Sequence, residues 1–257
     1  NIHLAQNRFA LAARSYERAL GLGLSSGVLH FKLASAYFNL RNYFGQIAEI
    51  AVPSGKPQTL HGEYYLFEAV PGREQTFRAA PRRSALYQSA AAIAAGMPDD
   101  SGIRLLQANI YLSARRFAMA HSIYKHLEAS VPEVDRALFY YSYAQSAFGL
   151  GDFDGYLASL QKAVALDPKA YETVLLDAYL KVAERFNQAG RQADYRDYLS
   201  RAVQASPRIA SLHLKLGDAY AESQNLDKAI EQWRMVLDLE PDHPERTRLL
   251  NRIARRR

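Results

Sequence analysis

The chain has 257 residues, 49% hydrophobic and 23% charged, with no cysteine and a formal net charge of +6. These proportions exclude a disordered or low-complexity chain, and the missing thiols exclude disulfides and thiolate metal sites. The charge is local: Pro244 to Arg257 holds six Arg and one Glu, +5, which leaves +1 for the other 243 residues and excludes a body built as a basic surface.

No run of about 18 apolar residues occurs, so no spanning helix is expected. The opening Asn1-Ile-His-Leu-Ala-Gln-Asn has no basic stretch before an apolar core, so no signal peptide is expected either. It has no initiator Met, which points to a processed form or a piece of a longer protein. A soluble chain without cysteine suits cytoplasm and periplasm alike.

Residues 7–22 are predicted to be the second helix of a unit whose first helix is cut short, with Phe9, Ala12, Tyr16 and Ala19 inward. Residues 26–51 are predicted to be a helix pair. His30, Leu33, Ala34 and Tyr37 lie on its first member, and Tyr43, Ile47 and Ile50 near the packing face of its second. Residues 52–82 break the pattern with Pro53, Gly55, Pro57, Pro71, Gly72 and Pro81. Within them Leu60, Tyr64, Phe67 and Glu68 predict a short helix over 58–70, although Glu63-Tyr-Tyr-Leu-Phe has equal strand propensity. Helix is preferred because the helix at 83–96 (Leu86, Tyr87, Ala90, Ile93) needs a partner. Residues 52–98 then form an irregular unit with an inserted loop. Regular spacing returns over 101–132, 137–168 and 210–241. The unit at about 170–207 is some five residues longer, so its first helix should extend over 170–188, and its second should run 191–205. Residues 243–257 are expected to be a cap helix with a thin stripe of Leu249, Leu250 and Ile253.

The unit 137–168 and the unit 210–241 place apolar or small residues at common positions. In the first these are Tyr143, Ala144, Ala147, Phe153, Tyr156, Leu160 and Ala163, before Pro168. In the second they are His213, Leu216, Gly217, Tyr220, Leu226, Ala229, Trp233 and Val236, before Pro241. Counted from each first residue they fall at 4, 7, 8, 11, 17, 20, 24 and 27, with Pro at 32, a period of about 34. This pattern resembles the tetratricopeptide repeat. The resemblance implies an all-α fold: a right-handed α-solenoid of antiparallel helix pairs, six to seven units plus the cap helix, as a single array over 1–257. Ala34, Ala144 and Gly217 at position 8, and Ala12, Ala120 and Ala229 at position 20, would let paired helices approach closely.

The resemblance also implies that the first helices line a concave side through positions 2, 5, 9, 12 and 13. Carried over position by position, the peptide-groove residues are Phe31, Ser35 and Phe38; Leu105, Asn109 and Leu112; Tyr141, Gln145 and Phe148; and Leu214 and Asp218. The stripe is aromatic and amide-rich, so it suits a peptide with apolar anchors whose backbone meets Asn and Gln. Of the Lys, Asn and Arg that clamp a chaperone's C-terminal carboxylate in some relatives, only Asn109 is present, so that function is not expected. A second candidate site is the basic set Arg73, Arg78, Arg82 and Arg83 in and after the irregular stretch, which could meet an acidic partner or phosphate.

No catalytic, cofactor or metal site is predicted. His121 and His126 are five apart and do not share a helix face in the zinc-binding manner, and Asp152-Phe-Asp-Gly155 lacks the downstream Glu of a calcium loop. Gly21-Leu-Gly23 has no strand before it and the wrong spacing for a dinucleotide loop. The expectation is a non-catalytic scaffold or adaptor with a protein or peptide partner, of bacterial origin on its Ala/Arg/Leu-rich composition. Self-association is left open. Two rival readings are the recognition arm of a larger enzyme such as a transferase, and nucleic-acid binding through the Arg-rich tail.

Overall fold

The computed structural model describes residues 2–43, 48–51, 59–61, 65–69, 76–97, 101–132 and 135–254. The chain divides into two compact units, Asn1–Asp152 and Phe153–Arg257. The first contains α1 (Ile2–Ala5), α2 (Phe9–Gly21), α3 (Gly27–Asn39), four strands, α4 (Ala85–Ala94), α5 (Ser101–Ser113), α6 (Phe117–Leu127) and α7 (Arg136–Leu150). The second contains α8 (Phe153–Leu166), α9 (Pro168–Gln188), α10 (Gln192–Ala205), α11 (Ala210–Glu222), α12 (Leu226–Leu239) and α13 (Arg246–Ala254). Within each unit, helices adjacent in sequence pack together as the antiparallel pairs of an α-solenoid.

One turn recurs after every first helix of a pair. The residue that closes it has positive φ: Asn7 (57°), Arg41 (57°), Arg115 (58°), Gly151 (79°), Gly190 (71°) and Gln224 (61°). The following amide reaches back five residues: Arg8 N to His3 O (2.8 Å), Asn42 N to Tyr37 O (2.9 Å) and Arg116 N to Tyr111 O (2.8 Å). Asp152 N to Ala147 O (3.0 Å), Arg191 N to Phe186 O (2.9 Å) and Asn225 N to Tyr220 O (2.9 Å) repeat it. This is the left-handed helix stop that satisfies the last carbonyls of a helix. It reverses the chain in three residues, and within each unit the next helix runs back along the first.

The next helix starts on the residue after the turn, and its first-turn amide donates to the carbonyl of the residue that follows the left-handed one. Ala12 N donates to Arg8 O (3.0 Å), Ala120 N to Arg116 O (3.1 Å) and Ala229 N to Asn225 O (3.1 Å). The same bond exists at α3, but its donor is far away in sequence: Ala85 N donates to Asn42 O at 2.9 Å. Helix α4 therefore stands where the second helix of the α3 unit belongs. A buried pair gives the same register. His213 Nδ1 lies 2.7 Å from Gln232 Oε1, 19 residues on. His30 Nδ1 lies 2.6 Å from Gln88 Oε1, 58 residues on. The difference, 39 residues, is the length of an insert placed between Asn42 and Arg82.

The insert contains an antiparallel sheet of β1 (Ala48–Ala51), β2 (Thr59–His61), β3 (Tyr65–Ala69) and β4 (Thr76–Pro81), in the order β1-β4-β3-β2. Its register pairs Ile50 with Phe77, Phe67 with Ala79 and Leu60 with Phe67. Strands β2, β3 and β4 lie against α4. The entry and exit of the insert are tied together: Leu86 N donates to Tyr43 O (3.0 Å), Asn42 Nδ2 to Arg83 O (2.7 Å) and Gln88 Nε2 to Arg82 O (2.7 Å). Ser84 Oγ donates to Pro81 O (2.7 Å) and accepts from Tyr87 N (3.2 Å), so it caps α4 from the strand side.

Two predicted elements are corrected by this arrangement. The helix expected over 58–70 is replaced by β2 and β3. The helix at 83–96 has its partner in α3, which leaves strand propensity at Tyr65, Leu66 and Phe67 to decide. The second helix expected within 26–51 is likewise absent among the described residues: Ile50 lies in β1, and Ile47 is outside the described residues. The solenoid itself stands, with a sheet set into one of its turns.

Close packing explains the small residues. A Cβ on Gly217 would stand 2.6 Å from Trp233 Cδ1, and one on Gly149 would stand 2.1 Å from Phe117 Cγ. Ala34, Ala85, Ala108, Ala120, Ala144, Ala163, Ala202 and Ala229 are fully buried. In the first unit Ala85, Ala108 and Ala120 share a core cluster with Tyr124, which is 0% exposed and meets Phe139 edge-on at 5.5 Å. In the second, Phe186 stacks on Tyr198 at 5.1 Å, and Trp233 fills the space between α11 and α12.

Removal of 43–81, which joins Asn42 directly to Arg82, should restore an uninterrupted repeat. The expected outcome is a chain with undiminished helical circular dichroism and one cooperative melt; loss of either would reject the assigned register. Gln224→Gly should stabilise the protein by about 0.5–1 kcal/mol, because the left-handed strain it removes exceeds the extra conformational entropy that glycine loses on folding. Thermal or urea unfolding measures it.

Candidate functional site

In the first unit α5 packs beside both α3 and α7, so three first helices stand side by side. This brings together nine of the predicted groove residues. Phe31, Ser35, Phe38, Leu105, Asn109, Leu112, Tyr141, Gln145 and Phe148 are all half-buried. Phe38, Leu105 and Leu112 rest against the hydrophobic core on one side. Outward of them Val28 and Leu138 are 49% and 60% exposed. Leu214 and Asp218, the other two predicted residues, belong to α11 of the second unit.

The polar members of the stripe are engaged unequally. Asn109 Oδ1 accepts from Tyr124 Oη at 2.7 Å, so its carbonyl is turned toward the neighbouring helix. Ser35 Oγ donates to Phe31 O at 3.0 Å, within its own helix. Gln145 makes no hydrogen bond among the described residues. Asp218 has an internal role: it accepts from Trp233 Nε1 at 3.2 Å and from Arg252 at 2.6 Å, and the Arg252 guanidinium lies 4.7 Å over the Trp233 ring. Asn109 with Tyr124 and Asp218 with Trp233 are the same pair of repeat positions, 15 residues apart. An aromatic donor on the second helix thus takes the acceptor at position 9 of the first. That pairing was not foreseen in the sequence, although the shared 15-residue offset was visible there.

Arg73 lies outside the described residues, and Arg78 sits in β4 opposite Glu49 and Glu68 in register. Arg82 and Arg83 are exposed at the β4–α4 junction. Arg83 forms an ion pair with Glu17 of α2 at 3.4 Å, and Glu17 also accepts from the buried Tyr37 hydroxyl. Glu17, Leu20, Leu33, Tyr37, Arg82 and Gln88 line a cavity of about 240 Å³ there. Of the tail, Arg252 is committed to Asp218, and residues 255–257 lie outside the described residues. Among the described residues no three His, Asp or Glu side chains cluster as a metal site, and no helix is long and apolar enough to cross a membrane.

Helix pairs closed by one repeated left-handed turn, with small residues at the crossing points, define a helical-repeat protein of the solenoid class. A family model described as the tetratricopeptide repeat matches residues 1–51 and 177–244, just under half of the chain, and it is this repeat that the helix pairs resemble. No curated protein matches the chain. Among solved structures it is similar to YrrB, described as a tetratricopeptide-repeat protein with an unusual peptide-binding site, at 15% identity over 93% of this chain and 100% of that one, TM-score 0.45. A repeat protein from Bacteroides fragilis shares 13% identity over 67% of this chain and 90% of its own, TM-score 0.45. The first repeat domain of Spaghetti, bound to an HSP90 peptide, shares 24% identity over 48% of this chain and 95% of its own, TM-score 0.30. This repeat fold implies protein or peptide partners.

Five of the described phenols have raised pKa values, each chiefly through burial: Tyr16; Tyr37, whose hydroxyl also bonds Glu17; Tyr124; Tyr195; and Tyr198, pushed up to about 12 with help from the Asp154 carboxylate. The unfolded chain loses these protons near pH 10, before the folded one does. Their contribution to stability is therefore complete below pH 10 and is lost as pH rises toward 12. The melting temperature should fall over that window, and Tyr198→Phe should lessen the fall.

Proposed function

We propose that this protein is a non-catalytic scaffold that holds a peptide segment of a partner protein against the first helices of its N-terminal unit. One observation supports the reading: α5 packs beside both α3 and α7, and the groove positions on these helices, Phe31, Phe38, Leu105, Tyr141 and Phe148 among them, are all half-buried. Residues at positions 5, 9 and 12 share a helix face, so each helix contributes an apolar–polar–apolar triplet. The half-buried state of these side chains favours the reading. Phe38 and Leu105 are held in place from behind by the core, and covering their outer surfaces costs little further side-chain entropy. A bound segment gains from the aromatic faces, while the Gln145 amide can both donate to and accept from its backbone.

The test is a substitution of Tyr141, Gln145 and Phe148 together by alanine, read by affinity capture from a lysate of the source cells and by circular dichroism. The expected outcome is the loss of partners retained by the parent chain, with the helical signal and cooperative melt preserved. Retention of all partners would move the site away from α7.

A further inference from the structure

We propose that the segment held by this stripe is uncharged where it touches, with aliphatic or aromatic side chains, and that the surface rejects acidic and basic segments alike. The inference rests on the groove reading above and specifies its ligand. Groove positions 2, 5, 9, 12 and 13 on α3, α5 and α7 give fifteen residues, and none of them is charged, in a chain that is 23% charged. The same positions on α11 include Asp218 and Glu222, so the repeat pattern does not itself forbid charge there. The polar groups present are partly spent within the chain, Asn109 on Tyr124 and Ser35 on Phe31. The Gln145 side-chain amide, midway between Tyr141 and Phe148 on α7, has no hydrogen bond among the described residues.

Complementarity then decides the chemistry. A carboxylate or ammonium brought onto this stripe would lose water and find no opposite charge, a net cost. An apolar side chain would lose only unfavourable hydration and gain contact with Phe31, Leu105, Tyr141 and Phe148. The exposed Val28 and Leu138 extend the apolar stripe at its outer lip. Binding driven in this way has no ion pairs to screen, so ionic strength leaves it nearly unchanged.

The experiment uses the full chain and a library of immobilised peptides in which each position is drawn from Leu, Phe, Ser, Asp and Lys. Retained peptides should carry Leu and Phe and be depleted in both Asp and Lys. A fluorescent copy of one should bind with the same affinity at low and high sodium chloride. Tyr141→Ala and Phe148→Ala should each weaken it by about tenfold or more, and Gln145→Glu should shift selection toward Lys-containing peptides. If the retained peptides are rich in Asp or Lys, and the same alanine variants weaken them, the groove stands and the ligand chemistry proposed here is wrong. If the alanine variants bind every retained peptide as the parent chain does, the groove reading itself fails. A library with nothing retained would overturn the proposal as well.

Discussion

The arrangement of this protein depends on a single backbone conformation repeated six times. One residue in the left-handed region ends each first helix, and the amide after it closes a hydrogen bond five residues back. The conformation is strained for any residue with a Cβ, yet Asn7, Arg41, Arg115 and Gln224 hold it where Gly151 and Gly190 hold it without penalty. The strain is offset by what the turn permits. Both helices bury a face against each other at once, and the carbonyls at the helix end are not left without donors. Crossing residues such as Gly217 against Trp233 and Gly149 against Phe117 then set how near the helices come.

The same turn explains how a sheet can be inserted without loss of the repeat. The turn at Arg41 and Asn42 is complete before the chain departs, and the carbonyl of Asn42 still receives the amide of Ala85. Helix α4 also keeps the repeat's own side-chain register: Ala85 is fully buried as Ala229 is, and Gln88 meets His30 as Gln232 meets His213. Local geometry on either side of the break therefore specifies the pair, and the intervening chain is free to form a separate structure. Asn42, Ser84 and Gln88 close the base of the insert by bonding backbone carbonyls at its exit or within the first turn after it.

The units at 101–132, 170–207 and 210–241, and the helices at 137–150 and 153–166, were legible in the sequence because their apolar positions repeat and their turns are short. Periodicity carries that information by itself. The α3–α4 pair was not legible, because its two halves are separated by 39 residues that bear no repeat signal. A reading in chain order joins each helix to the nearest candidate, and here the nearest candidate was Tyr43 to Ile50. The groove set was legible as a set of positions. What each polar group does was not: the bond from Tyr124 to Asn109, and the fork of Asp218 onto Trp233 and Arg252, depend on side-chain reach between helices. One clue was present, since Asn109 and Tyr124 recur as Asp218 and Trp233 at equal spacing.

The split repeat has a kinetic consequence. Every other pair in the first unit meets across a few residues, whereas α3 and α4 must first bring together chain ends some forty residues apart. The entropy of closing that longer loop exceeds that of a tight turn by roughly 2 kcal/mol, and no contact between the two helices can compensate until the loop has closed. A repeat array folds outward from whichever neighbours assemble most readily, which here are α5, α6 and α7. The N-terminal helices α1 to α3 therefore join α4 to α7 through the slowest joint in their unit.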